Sequence, residues 1–143
     1  LLLLITLLWR YLKRDAPPLT PMDVALRDWR DARSADLDDQ ALAYQMSWIF
    51  RGYIEALDQW PARSRTSPEI LAWLRSERGQ PLQGEALLAS ERILQATDRL
   101  KFGREGGGTP FFDRLEEDLR SVVNRTTELA SLAAADPDEA AHV

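Results

Sequence analysis

The sequence predicts an all-α fold, a single bundle of about five helices that follows the end of a transmembrane helix. Three observations support this: hydroxyl–proline pairs mark helix starts, apolar residues recur at spacings of three and four, and no stretch alternates like a strand. The chain has 143 residues, of which 45% are hydrophobic and 29% charged. This length and composition suit one domain with one core.

The N-terminal segment differs from the rest of the chain, because its first nine residues carry no charge. Aromatic and basic residues come next, as is typical of the cytoplasmic end of a transmembrane helix. A spanning helix needs about 20 apolar residues, so we interpret residues 1–14 as the C-terminal end of one. A signal peptide would need its basic residues before the apolar run, whereas an ordinary buried helix remains an alternative. The predicted membrane-interface residues are Trp9, Arg10, Tyr11, Lys13 and Arg14.

Charge and composition divide the remaining chain into three parts. Residues 15–20 form a proline-rich linker, residues 21–132 the helical bundle, and residues 133–143 a flexible tail. Three of the 18 basic side chains lie in the first fourteen residues, which leaves 15 basic against 23 acidic side chains and a net charge of −8. Such a domain would repel nucleic acid, whose binding usually requires a basic face.

Helix starts are predicted where a hydroxyl residue precedes proline, at Thr20, Ser67 and Thr109, with a further start near Asp36. Helix ends are predicted at Gly79 and Gly103. Apolar stripes of helical period connect these signals. The predicted helices cover residues 1–15, 20–34, 37–59, 67–78, 82–102 and 110–132, and their short connections favour antiparallel packing.

Residues for catalysis, cofactor binding and metal binding are not found in recognisable patterns. The chain has no cysteine, and its single histidine, His142, lies beside the C-terminus. The glycine-rich loop GREGGGTP lacks the Gly-Lys-Ser/Thr step of a phosphate-binding loop. Clustered carboxylates such as Glu116 and Glu117 are explained as solvated helix faces. We therefore predict no cofactor and no enzymatic activity.

The stretch RILQATDRLKFG places Asp98 and Lys101 one helical turn apart, followed by Phe102 and a glycine. An exposed ion pair at this spacing contributes only about 0.2–0.5 kcal/mol. We consider two interpretations: a surface Asp beside a helix-terminal Lys that the helix dipole favours, or a half-buried Asp98 that pairs with Arg51 of another helix. In the second interpretation Phe102 closes the end of the bundle.

These residues also carry a family resemblance. The order Trp48-x-x-Arg51-x-Tyr53, then Ser67-Pro68-Glu69-Ile70-Leu71, then Asp98-x-x-Lys101-Phe102 resembles the cytoplasmic helical domain of BatD-like (aerotolerance-type) bacterial membrane proteins. The resemblance covers most of residues 37–130, and this chain departs from it in having Gly103, where alanine is common, and a triple-glycine loop. It implies a single-pass protein of the bacterial inner membrane with a cytoplasmic body. It also implies partners of two classes, MoxR-type AAA+ ATPases and von Willebrand factor A domain proteins.

Three functions remain open. The first is a non-catalytic adaptor or scaffold in which Arg51, Tyr53, Asp98, Lys101 and Phe102 maintain the bundle or its interactions. The second is a ligand-sensing or enzymatic bundle in which aromatic residues hold a small molecule. Aromatic residues at helical spacing more often belong to the hydrophobic core than to a ligand pocket. Those residues are Trp48, Tyr53, Trp60 and Trp73. The third is a structural subunit of a larger membrane complex.

Overall fold

The protein is helical throughout the parts that the computed structural model describes, namely residues 2–12, 17–103 and 106–135. The six α-helices are α1 (Leu2–Leu12), α2 (Pro21–Ser34), α3 (Asp39–Asp58), α4 (Ser67–Ala72), α5 (Gly84–Lys101) and α6 (Thr109–Ala135). A 3₁₀ turn (Ala62–Ser64) precedes α4, and a π turn (Trp73–Glu77) follows it. No strand occurs within these ranges, so the all-α prediction is confirmed.

The helix starts lie within a few residues of the predicted signals. Thr20 caps α2 as expected, because its hydroxyl accepts the Asp23 N–H at 3.2 Å and the Asp23 carboxylate accepts the Thr20 N–H at 3.1 Å. The predicted cap at Ser67 is wrong by one residue, since Thr66 caps α4. Helix α6 begins at Thr109 itself. Asp38 caps α3 by accepting the Ala41 N–H at 2.7 Å.

Helix α3 lies at the centre of the bundle, between α2 and α5, and α6 packs on α5 and on α2. The apolar stripes face inward and form one core. Ala86 and Ala89 of α5 are buried, and their small side chains let the neighbouring helices approach closely. The largest side chains that are almost fully buried include Trp29, Met46, Phe50, Ile54, Ile93 and Leu119.

Helix α1 exposes its apolar surface. Its described leucines, together with Ile5, Trp9 and Tyr11, are all more than half exposed. The alternative of an ordinary buried helix is therefore wrong. None of the described helices is long and apolar enough to cross a membrane. The Arg10 side chain and residues 13–16, which include Lys13 and Arg14, lie outside the described parts of the chain.

The C-terminal ends of two helices, α4 and α6, differ from the prediction. Helix α6 continues to Ala135, so the predicted tail begins at least three residues too early, and residues 136–143 lie outside the described ranges. The helix predicted for residues 67–78 ends at Ala72 and widens into the π turn. Gly103 follows α5 with a φ of +68°, the left-handed conformation expected for a helix-ending glycine.

Candidate interaction site

The candidate site forms where the middle of α3 meets the C-terminal end of α5. Ser47 and Arg51 lie one turn apart on α3, and Asp98 and Lys101 one turn apart on α5. The Ser47 hydroxyl oxygen accepts from Arg51 Nε at 3.2 Å and from Lys101 Nζ at 2.6 Å. The Lys101 ammonium lies 3.7 Å from Asp98 Oδ1. The Ser47 hydroxyl therefore accepts hydrogen bonds from two cationic side chains, one from α3 and one from α5.

Ser67, at the start of α4, connects Arg51 of α3 to Asp98 of α5. Arg51 Nη2 donates to the Ser67 hydroxyl at 3.0 Å, and that hydroxyl donates to Asp98 Oδ2 at 2.7 Å. Arg51 Nη1 donates to the backbone carbonyl of Arg65. Because its planar fork reaches three partners at once, Arg51 ties α3 to the segment before α4 and, through Ser67, to α5.

Burial works against the charge of both cations, and Asp98 compensates in part. Arg51 is 9% exposed, and desolvation lowers the pKa of its guanidinium, while the nearby Asp98 carboxylate raises it. Desolvation also lowers the pKa of the Lys101 ammonium; Asp98 opposes this effect, and the Arg51 charge adds to it. The hydrogen bonds of the site thus stabilise a cationic centre that lies partly below the surface.

Exposed aromatic side chains and the exposed Arg63 lie next to this centre, on the side of the partly buried Lys101. The Lys101 ammonium lies 5.3 Å from the centre of the Tyr44 ring, and the Arg63 guanidinium 4.3 Å from the Trp48 ring, both within cation–π range. Tyr44 and Trp48 are each about half exposed, and Phe102 is 74% exposed. We call the side chains of Tyr44, Trp48, Arg63, Lys101 and Phe102 the aromatic–basic face.

Gly52 lets Arg63 lie flat against α3. A Cβ atom at position 52 would lie 2.2 Å from Arg63 Nη2 and 2.7 Å from Arg63 Cζ. A side chain there would therefore push the guanidinium away from Trp48. Gly52 thus leaves room for the contact between Arg63 and Trp48 on the aromatic–basic face.

No protein-family model, curated protein or solved structure matches this chain.

The structure brings Arg51, Asp98 and Lys101 together, with Ser67 as the link between Arg51 and Asp98. Phe102 does not close the end of the bundle, because it follows the last turn of α5 and is 74% exposed. That part of the interpretation is wrong. Trp9 and Tyr11 lie on α1, away from this cluster in sequence and largely exposed.

Tyr53 lies inside the bundle. It is 3% exposed, and its hydroxyl is hydrogen-bonded to the hydroxyl of Thr126 on α6. Thr126 donates its own hydrogen to the Val122 carbonyl at 2.9 Å, so Tyr53 is the donor of the bond between them. Tyr53 is therefore a contact between α3 and α6.

Burial raises the pKa of the Tyr53 phenol above its ordinary value of 10.0. The unfolded chain then loses this proton at a lower pH than the folded chain. The resulting stability is complete below pH 10 and is lost as the pH rises above it, by at most about 1.4 kcal/mol per pH unit. We expect the difference in unfolding free energy between the wild type and Tyr53→Phe, measured by urea denaturation, to shrink in that window. Parallel stability curves for the two proteins would contradict this, since all other titrating groups are common to both.

The four aromatic residues considered for a ligand pocket do not share one cavity. Trp48 and Tyr53 line a groove of about 630 Å³ between α2 and α3. Trp60 and Trp73 do not line this groove and instead stack on each other, with ring centres 4.6 Å apart. Among the described residues, no group of three His, Cys, Asp or Glu side chains could hold a metal ion.

Sequence reasoning missed Ser47, Ser67 and Arg63 as site residues. Ser67 was assigned to the helix cap because it precedes proline. The spacing Thr66-x-x-Glu69 is a capping box and could have moved the cap to Thr66, leaving the Ser67 hydroxyl available. Ser47 and Arg63 carry no such signal, because their roles depend on which helix α3 contacts.

Proposed function

We propose that this chain is a non-catalytic, membrane-anchored adaptor whose helical domain binds protein partners. The observation that carries the proposal is the aromatic–basic face. Tyrosine, tryptophan and arginine dominate binding energy at protein interfaces, and exposed apolar side chains that lie together in a patch are typical of an interaction site. Tyr44 and Trp48 project from one face of α3 on successive turns, and Phe102 lies beside Lys101.

Helix α1 supports the membrane part of the proposal. Its apolar side chains are exposed instead of packed into the bundle, and basic residues follow it in the sequence. Apolar surface of this extent is stabilised by lipid, with tryptophan and tyrosine at the headgroup level. In this proposal the helical body lies on the cytoplasmic side of a bacterial inner membrane.

The chain's attachment can be measured by flotation with liposomes. The full chain should float with vesicles of bacterial phospholipid, and a variant that lacks residues 1–14 should stay in the dense fraction. The deletion should leave the melting temperature of the bundle almost unchanged, because the described side chains of α1 are exposed. Equal flotation of both proteins would contradict the anchoring role of this segment.

The partner we propose is an AAA+ ATPase of the MoxR type, alone or with a von Willebrand factor A domain protein, as the BatD-like resemblance implies. Affinity purification of the full-length protein from its native membranes, with and without nucleotide, tests this. Wild type and Leu88→Ala, which changes an exposed leucine outside the aromatic–basic face, should both recover the ATPase. The double variant Tyr44→Ala/Trp48→Ala should lose it. Recovery that is unaffected by the double variant would overturn the proposal.

A further inference from the structure

A cavity of about 350 Å³ opens inside the aromatic–basic face. Four basic side chains line it, from Arg51, Arg63, Arg65 and Lys101, and none of its described lining residues is acidic. Excluding residues 1–14, the chain carries a net charge of −8. A cationic cavity in an acidic domain is a local reversal of charge, which attracts an anionic group to one place and repels it elsewhere.

The carboxylates near this cavity already accept hydrogen bonds. The Asp98 carboxylate accepts a hydrogen bond from the Ser67 hydroxyl at 2.7 Å. The carboxylates of Glu55 and Glu69 accept the backbone N–H groups of Arg63 and Thr66, at 3.1 and 2.7 Å. Three carboxylates thus stand near four cations. The cavity remains electropositive, and its lining presents only basic, hydroxyl and aromatic side chains.

We infer that this cavity binds a carboxylate side chain from an acidic peptide segment of the partner protein. The inference rests on the proposed function and names the chemistry of the partner. Arginine donors match the planar carboxylate group, and half-exposed Tyr44 and Trp48 at the rim offer contact area to the flanking peptide residues. Nucleic acid fits less well, since the acidic domain around the cavity would repel a continuous phosphate backbone.

The binding experiment uses the full chain in lipid nanodiscs and a fluorescein-labelled peptide in which glutamates flank one phenylalanine. Fluorescence anisotropy should detect binding that weakens as salt is added. A counterpart peptide with glutamine in place of every glutamate should bind at least about tenfold more weakly. Equal binding of the two peptides would overturn the inference. Stronger competition by inorganic phosphate or by a polyuridylate RNA than by unlabelled acidic peptide would also overturn it.

Two variants locate the binding in the cavity. Arg63→Gln should lower the affinity about fivefold or more, whereas Arg120→Gln, the same change on the exposed surface of α6, should stay within about twofold. Gly52→Ala should reproduce the loss, because its methyl group displaces the Arg63 guanidinium while alanine favours the helix. Equal losses from Arg63→Gln and Arg120→Gln would indicate a diffuse charge effect and reject the site.

A double variant gives a stricter criterion. If Gly52→Ala acts by moving Arg63, then Gly52→Ala/Arg63→Gln should bind the peptide no more weakly than Arg63→Gln alone. Additive losses would reject this account of Gly52. The two proposals can fail separately. If Tyr44→Ala/Trp48→Ala loses the ATPase but the wild type does not bind the acidic peptide, the adaptor function stands and the carboxylate site is rejected.

Discussion

Trp29→Ala should lower the free energy of unfolding by about 3 to 5 kcal/mol, the range seen when a large buried aromatic residue is truncated. Trp29 is 1% exposed, and its ring centre lies 6.1 Å from that of Phe112. The residue therefore joins α2 to the start of α6. Its removal leaves a cavity in the core, and urea denaturation monitored by circular dichroism would measure the loss.

Trp48→Ala is the matched control, because it removes the same side chain from a position that is 53% exposed. Its cost should be below about 1 kcal/mol, as for most surface substitutions. Trp29→Phe should be milder than Trp29→Ala, since it keeps a ring and removes an indole N–H that is buried without a hydrogen-bond partner among the described residues. Similar losses for Trp29→Ala and Trp48→Ala would contradict the core assignment.

Asp58→Ala should lower the unfolding free energy by about 3 kcal/mol, because it leaves the largely buried Arg78 guanidinium without its partner carboxylate. Asp58, at the end of α3, accepts two hydrogen bonds from Arg78, at 2.8 and 3.0 Å, and one from the Trp73 indole at 2.7 Å. The Asp58 and Arg78 side chains are only 7% and 11% exposed. Thermal and urea denaturation would measure the effect.

Asp28→Ala provides the comparison, since Asp28 and Arg27 also form an Asp–Arg pair but are each 43% exposed. Its loss should be below about 1 kcal/mol, as is usual for solvated ion pairs. Equal destabilisation by Asp58→Ala and Asp28→Ala would mean that burial does not control the strength of these pairs. The Asp58–Arg78 pair also joins the end of α3 to the segment after α4, and Arg63 and Arg65 of the cavity lie between these two points in the sequence.

The parts of the fold that local physics decides could be predicted from the sequence. Thr20 with Pro21 and Asp23 specifies the start of α2 through neighbouring backbone groups alone. The left-handed backbone at Gly103 is likewise a local requirement of the end of α5. The apolar stripes predicted which faces are buried, because each stripe follows the helical period.

The parts that depend on contacts between helices could not be fixed in this way. The sequence suggested an Asp98–Arg51 pairing, but the mediating hydroxyl of Ser67 depends on how α4 lies across α3 and α5. Phe102 is apolar, yet it follows the last turn of α5 and none of the described helices covers it. Hydrophobicity alone does not distinguish such a residue from a core residue.

The cavity is lined by residues that are distant in sequence, such as Ser47 and Lys101, whose side chains are hydrogen-bonded to each other, so its lining exists only in the folded state. Any molecule that occupies it must therefore raise the thermal midpoint of unfolding in proportion to the logarithm of its concentration above Kd. A melting curve recorded with increasing amounts of a candidate partner would consequently report occupancy without a label, and would rank partners by the shift that each produces.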